Sequence, residues 1–166
     1  KPDSVDICFL PHGNYQKLVV EEMKTKPKSG NIVTEDGEIL GKHTGLFNYT
    51  IGQRKGLGIA YKHPLYVIGF NGERNEVIVG PNERLFTNRM ICKFYNFLDD
   101  TIHKELKAEG KIRYAANPSP CTARILDDDT MEVIFDEPQR AITPGQSVAF
   151  YNGTQLLGGA VIDRVC

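Results

Sequence analysis

The residues from Gly45 to Ile59 hold a set of groups suited to recognising an anion. Gly45, Gly52, Gly56 and Gly58 punctuate the stretch, and Gln53, Arg54 and Lys55 sit side by side in surroundings that are otherwise largely apolar. Each glycine loses conformational freedom on folding and adds no packing, so such a run reads as a fixed loop rather than a helix or strand. Backbone can approach a partner closely there while amide, guanidinium and ammonium present donors, and a nucleic-acid backbone is the natural partner. Composition alone favours the plainer reading, a turn that closes a small β domain. Two nucleotide-binding patterns fail. Gly37-Glu38-Ile39-Leu40-Gly41-Lys42-His43 is one residue short of a P-loop and lacks the hydroxyl residue that reaches Mg²⁺. Gly56-Leu57-Gly58 lacks the third glycine of a dinucleotide fingerprint.

The other reactive side chains are scattered. Cys8, Cys92, Cys121 and Cys166 form no Cys-x-x-Cys pair, which speaks against zinc and against a disulfide framework and fits a reducing cytoplasm. His12, His43, His63 and His103 show no metal-ligand spacing and no nearby nucleophile pattern, so no metal site is expected. A formal net charge of −1 over 166 residues excludes a wholesale electrostatic nucleic-acid binder and leaves only a local basic patch for such contacts. No apolar run is long enough to span a bilayer, so no membrane partner is expected. The start at Lys1-Pro2-Asp3, without an initiating methionine, reads as the cut edge of a larger protein.

The elements that must position these groups are mainly strands. Asn14 can cap one short helix over 14–24, with Tyr15, Leu18, Val19 and Met23 on one face and Pro27 as its stop. Hairpins follow. Ile32-Val33-Thr34 and Glu38-Ile39-Leu40 flank Asp36-Gly37, and the stretches 65–70 and 76–79 flank a loop beginning Asn71-Gly72. Residues 122–126 and 131–135 flank an Asp127-Asp128-Asp129 tip, and 147–151 and 155–162 flank Asn152-Gly153. This density of short strands and turns predicts a mainly β chain of two small β-barrel-like domains with one short N-terminal helix. The division is expected near residue 75, giving domains 1–75 and 76–166.

Several blocks, in order along nearly the whole chain, resemble the tRNA-specific 2-thiouridylases. They are Asp6-Ile7-Cys8-Phe9, the segment Gly30 to His43, Thr50 to Ile59, Lys111-Ile112-Arg113-Tyr114, Pro120-Cys121-Thr122, Phe135 to Ala141, Thr143-Pro144-Gly145-Gln146-Ser147, Phe150 to Gly153, and Leu157-Gly158-Gly159. The resemblance implies an enzyme that thiolates the wobble uridine of tRNA at C2, through an adenylated uridine and a cysteine persulfide. It covers the family's central domain and C-terminal β-barrel. The Ser-Gly-Gly-x-Asp-Ser phosphate loop of the family's N-terminal ATP-pyrophosphatase domain is absent from the sequence. ATP with Mg²⁺ is therefore expected on that missing domain, and no cofactor and no thiolation activity are expected of these residues alone.

The same resemblance assigns roles residue by residue. Cys8, by default a small buried hydrophobe, matches the persulfide-carrying catalytic cysteine. Its sulfur would come from a donor protein, a cysteine desulfurase or a sulfur-relay carrier. Arg113, Tyr114 and Gln146 match positions at which the family's barrel touches tRNA, and Arg54 and Lys55 add a basic loop. Without the resemblance these would pass as barrel surface. Two departures stand out: Ala115 replaces a customary basic residue, and the segment after Ile59 is short and lacks a customary tryptophan. The alternative class is a stand-alone RNA-binding or translation-factor-like β-barrel without catalysis.

Overall fold

The computed structural model describes residues 20–21, 27–99 and 104–166. Cys8 and most of the expected 14–24 helix lie outside them; Val20 and Glu21 are helical. The chain divides into two compact units, Lys1–Gly80 and Pro81–Cys166, and the described structure is mainly β, as its turn chemistry predicts.

The first unit holds a four-stranded sheet in the order β2-β1-β4-β3, made of β1 (Gly30–Thr34), β2 (Ile39–His43), β3 (Tyr66–Asn71) and β4 (Glu76–Gly80). Strands β1 and β2 form the expected hairpin, with Gly37 at φ 85° in its turn. That backbone region favours glycine. The turn closes through Thr34 N donating to Glu38 O at 2.9 Å and Gly37 N to Thr34 O at 3.0 Å. Strand β4 runs antiparallel to β3 and parallel to β1, where Ile32 faces Val77. Both edges of β4 are thus paired within this unit, which is why the division falls after Gly80 and not near residue 75, inside the β3–β4 hairpin. Ile32, Val67, Val77 and Val79 are fully buried, and Leu57 and Leu65, from the long β2–β3 connection, complete their cluster. Burial of Leu57 contributes about 1.5–3 kcal/mol and ties the glycine-rich loop to the sheet.

The second unit is a closed barrel, β10-β5-β8-β7-β6-β9 and back to β10, with every pair antiparallel. Its strands are β5 (Phe86–Phe97), β6 (Glu105–Lys111), β7 (Ser119–Ile125), β8 (Thr130–Arg140), β9 (Ser147–Asn152) and β10 (Gln155–Val165). Closure removes the exposed strand edges that invite pairing with other chains. Met90, Cys92, Met131, Val133, Phe135, Val148, Phe150 and Ile162 fill the interior. Gly110 is needed where it stands, because a Cβ there would lie 2.7 Å from the Phe135 ring and 2.9 Å from Cys121 Sγ.

Candidate nucleic-acid interface

Two candidate residues of the second unit, Arg113 and Gln146, meet through one threonine. Strand β6 ends at Lys111, and the turn that follows is closed by Ala116 N donating to Arg113 O at 3.1 Å. Ile112 is buried, and Lys111 and Arg113 on either side of it are half-buried. Arg113 donates from Nη2 to the Ala141 carbonyl and, at 3.4 Å, to Thr143 Oγ1. Thr143 O in turn accepts from Gln146 N at 3.2 Å. The β6–β7 and β8–β9 connections are therefore fastened to each other beside Arg113 and Gln146.

Local backbone chemistry sets this arrangement. Ala141 has φ 55°, a region that costs a non-glycine residue roughly 1–2 kcal/mol. The Arg113 bond to its carbonyl, and Ala141 N donating to Leu85 O at 2.7 Å, hold it there. Gly145, at φ 84°, lets the turn reverse. The turn is stapled to β10 by Gly145 N donating to Ile162 O and Ile162 N donating to Gln146 O, each at 2.8 Å. Both backbone groups of Gln146 are thus engaged, and the residue is exposed.

Burial, and after it the neighbouring Arg140 charge, lower the Arg113 guanidinium below its ordinary pKa. It remains a cation at neutral pH. Among the described residues no carboxylate lies within ion-pair distance of Arg113. Tyr114 is 79% exposed, and the Lys111 ammonium lies 5.4 Å from its ring centroid. Three cations, an exposed aromatic ring and an exposed amide therefore gather at this part of the barrel. The sequence reading missed Lys111 and Arg140. The signal for Lys111 was its period-two spacing from Arg113 across an apolar residue.

Other arginines of the barrel are engaged differently. Glu132 is nearly buried, and Arg89 reaches its Oε1 from Nε at 2.7 Å and from Nη2 at 2.6 Å. Arg124 lies 3.7 Å from Glu132 Oε2 and 3.3 Å from Glu105 Oε2. These guanidinium groups already face carboxylates.

In the first unit, Arg54 and Lys55 are exposed, and neither side chain has an acidic partner among the described residues. Gln53 does not present donors outward, as its place in the sequence suggested. Its Oε1 accepts from Thr50 N at 3.0 Å and its Nε2 donates to Lys55 O at 2.9 Å. It braces the loop, which is also sewn to β3 by Gly52 N donating to Val67 O and Val67 N to Gln53 O. His43 is likewise structural. Its Nδ1 accepts from Gly45 N at 3.0 Å, and its Nε2 lies 2.9 Å from Asn75 O, where it donates.

Cys8 lies outside the described residues. Cys92 and Cys121 are buried in the barrel, and burial above all pushes each thiol up to about 12. Neither supplies a thiolate at neutral pH. Cys166 is exposed beyond the end of β10. Among the described residues, no helix is long and apolar enough to cross a membrane, and no group of three or more His, Cys, Asp and Glu gathers as a metal site would.

The two units match two described domain families. Residues 17–81 match the tRNA methyl transferase PRC-barrel domain and residues 87–162 the aminomethyltransferase β-barrel domain. The class is thus a PRC-barrel-type module followed by an aminomethyltransferase-type barrel. The tRNA-specific 2-thiouridylase MnmA of Clostridioides difficile is 46% identical over 165 residues, which are 99% of this chain and 46% of that protein. Its counterpart from Carboxydothermus hydrogenoformans is 45% identical over 165 residues, 99% of this chain and 45% of that protein. The tRNA-specific 2-thiouridylase MnmA 1 of Clostridium tetani is 46% identical over 166 residues, with 99% and 46% covered. The chain belongs to the tRNA-specific 2-thiouridylase family and corresponds to its central and C-terminal domains. It spans about half the length of the curated relatives it matches.

Proposed function

We propose that these two units hold tRNA for an enzyme that replaces the C2 oxygen of the wobble uridine with sulfur. The observation that carries the reading is the meeting of Arg113 and the Gln146 turn at Thr143, beside Lys111, Tyr114 and Arg140. A guanidinium held by a carbonyl and a hydroxyl keeps its full charge and its remaining N–H groups for a phosphate. An exposed tyrosine offers a face on which an unpaired base can stack. Such contacts position an RNA more than they read its sequence.

The chemical step is assigned to Cys8 and to a domain ahead of these units. ATP with Mg²⁺ would be bound there, and the uridine would be adenylated at its C2 oxygen with release of pyrophosphate. Cys8, loaded as a persulfide by a cysteine desulfurase or sulfur-relay carrier, attacks C2 through its terminal sulfur and displaces AMP. A second cysteine of that domain then attacks Cys8 Sγ. The sulfur stays on the base, and the two cysteines are left as a disulfide for an external thiol to reduce. These residues alone would release no pyrophosphate from ATP. The setting would be the cytoplasm, where thiols are kept reduced.

The test is Cys8→Ser in the full-length protein, read by mass spectrometry of digested tRNA from cells that depend on it. An oxygen cannot carry the persulfide, so 2-thiouridine should vanish while tRNA binding stays within about twofold, since the side-chain volume hardly changes. Normal 2-thiouridine content in that strain would remove Cys8 from the chemistry.

A further inference from the structure

The first unit carries an open pocket of about 710 Å³ in the connection between Arg54 and Leu65. Arg54, Lys62 and His63 stand on its walls, all three exposed, and Leu57 and Leu65 close its base against the core of the unit. Among the described residues the lining holds no carboxylate. Neither Arg54 nor Lys62 has an ion-pair partner there. Tyr61 is ordered between two of these groups: the Lys62 ammonium lies 5.7 Å from its ring centroid, and the His63 ring meets it edge-on at 4.9 Å. Gly56 and Gly58 line the same space at φ 78° and 68°. A Cβ on Gly58 would meet nothing within 4 Å. Both glycines are therefore set by backbone conformation, and Gly58 faces open room.

A bare phosphate would use only the cationic wall and leave most of this volume empty. The size falls in the range of pockets that enclose organic ligands, and the mix of apolar base, aromatic ring and unpaired cations suits a phosphate joined to a flat heterocycle. We propose that the pocket takes one nucleotide of a single-stranded RNA segment. Arg54 and Lys62 hold its phosphodiester, and the base rests on Tyr61 and the Leu57–Leu65 surface. A base in this position must be unpaired, and stacking against an aromatic ring works for any base. The proposal rests on the tRNA-binding reading given above and adds to it a specific nucleotide subsite.

The test measures tRNA binding by the full-length protein, by filter titration at two salt concentrations. Arg54→Ala with Lys62→Ala should weaken binding about 10- to 100-fold. It should also flatten the slope of log K against log salt by about 1.4, the value for two phosphate contacts on a single strand. Ala60→Trp, which fills the pocket without changing charge, should weaken binding about tenfold and leave the slope unchanged. Photocrosslinking with 5-iodouridine in the tRNA should place adducts on Tyr61 or His63. Pocket variants that bind like the parent, beside an Arg113→Ala variant that binds weakly, would overturn the subsite and leave the tRNA reading standing. A parent protein that binds no tRNA would overturn both. Saturable binding of AMP or UMP that both pocket variants abolish and tRNA does not displace would overturn the RNA assignment in favour of a free nucleotide.

Discussion

Arginines on the barrel of the second unit are held in two contrasting ways. Around Glu132, Arg89 and Arg124 face carboxylates at 2.6–3.7 Å. Near Thr143, Arg113 faces a carbonyl and a hydroxyl. Both arrangements fix a long side chain, but only the first neutralises it. Glu132 shows why the first exists: Met131 and Val133 point into the core, so Glu132 lies on the outer face of β8, where the arginine stems cover it. A nearly buried carboxylate without those cations would lose its solvation with nothing in return. Among the described residues, Arg113 faces no carboxylate. Its side chain is held in place without an acidic partner there, which is what the proposed phosphate contact requires.

The largest expected effect tests the neutralised side. Arg89→Ala removes the closest partner of Glu132 and leaves only Arg124, at 3.7 Å. Stability should fall by about 2–4 kcal/mol, below the full range for a broken buried pair because Arg89 is itself half-exposed. Urea unfolding reads this as a lower midpoint at constant slope. The affinity of the folded protein for tRNA should not change. If the midpoint stays put, or affinity falls with it, the two groups of arginines are not distinct.

The next effect tests the unbalanced side. Arg113→Ala should weaken tRNA binding by the full-length protein by about 1–3 kcal/mol, the scale of hydrogen bonds to charged groups. It should also lower the salt slope by about 0.7–0.9, one phosphate's worth of released counterion. The loss should be alike for all substrate tRNAs. A smaller loss of stability, about 1 kcal/mol, should accompany it, because the Ala141 carbonyl loses the guanidinium and keeps only the Thr143 hydroxyl as donor, at 3.0 Å. Arg113→Lys separates these roles: an ammonium keeps the charge but not the fork, so the salt slope should return while affinity recovers only in part. Unchanged affinity and slope in Arg113→Ala would assign Arg113 to the turn alone.

The contrast also shows which parts of the molecule a linear reading can reach. Hairpins built on Asp36-Gly37 and Asn152-Gly153 were legible because the turn residues themselves demand the reversal. Strand β5 was not, since Met90, Ile91 and Cys92 are buried in succession and bulges shift its register on both sides. A barrel strand covered on both faces and bulged loses the alternation that announces a strand. At the candidate site, Arg113, Tyr114 and Gln146 were legible only as members of a family motif, because the meeting of Arg113 and the Gln146 turn at Thr143 depends on two connections far apart in sequence. Gln53 misled for the opposite reason: an amide next to two cations looks like a donor, but short-range bonds to Thr50 and Lys55 engage it.

The smallest expected effect lies where the two kinds of arginine come closest to each other in behaviour. Arg124 contacts two carboxylates, yet its side chain is half-exposed, Glu105 is too, and its distance to Glu132 is 3.7 Å. Solvent screens the contact with Glu105, and at 3.7 Å Arg124 is the more distant of the two partners of Glu132, so Arg124→Ala should cost only about 0.2–1 kcal/mol of stability, the usual worth of an exposed pair. Salt should shrink that difference further. The salt slope of tRNA binding should stay at the parent value, because a cation already facing carboxylates contacts no phosphate and so releases no counterion. A drop in the slope by about 0.7–0.9, as expected for Arg113→Ala, would mean that Arg124 turns from Glu105 to the RNA. The boundary between neutralised and waiting cations would then run through Glu105 and not around Glu132. Filter binding of Arg124→Ala at two salt concentrations, beside Arg113→Ala in the same series, places that boundary.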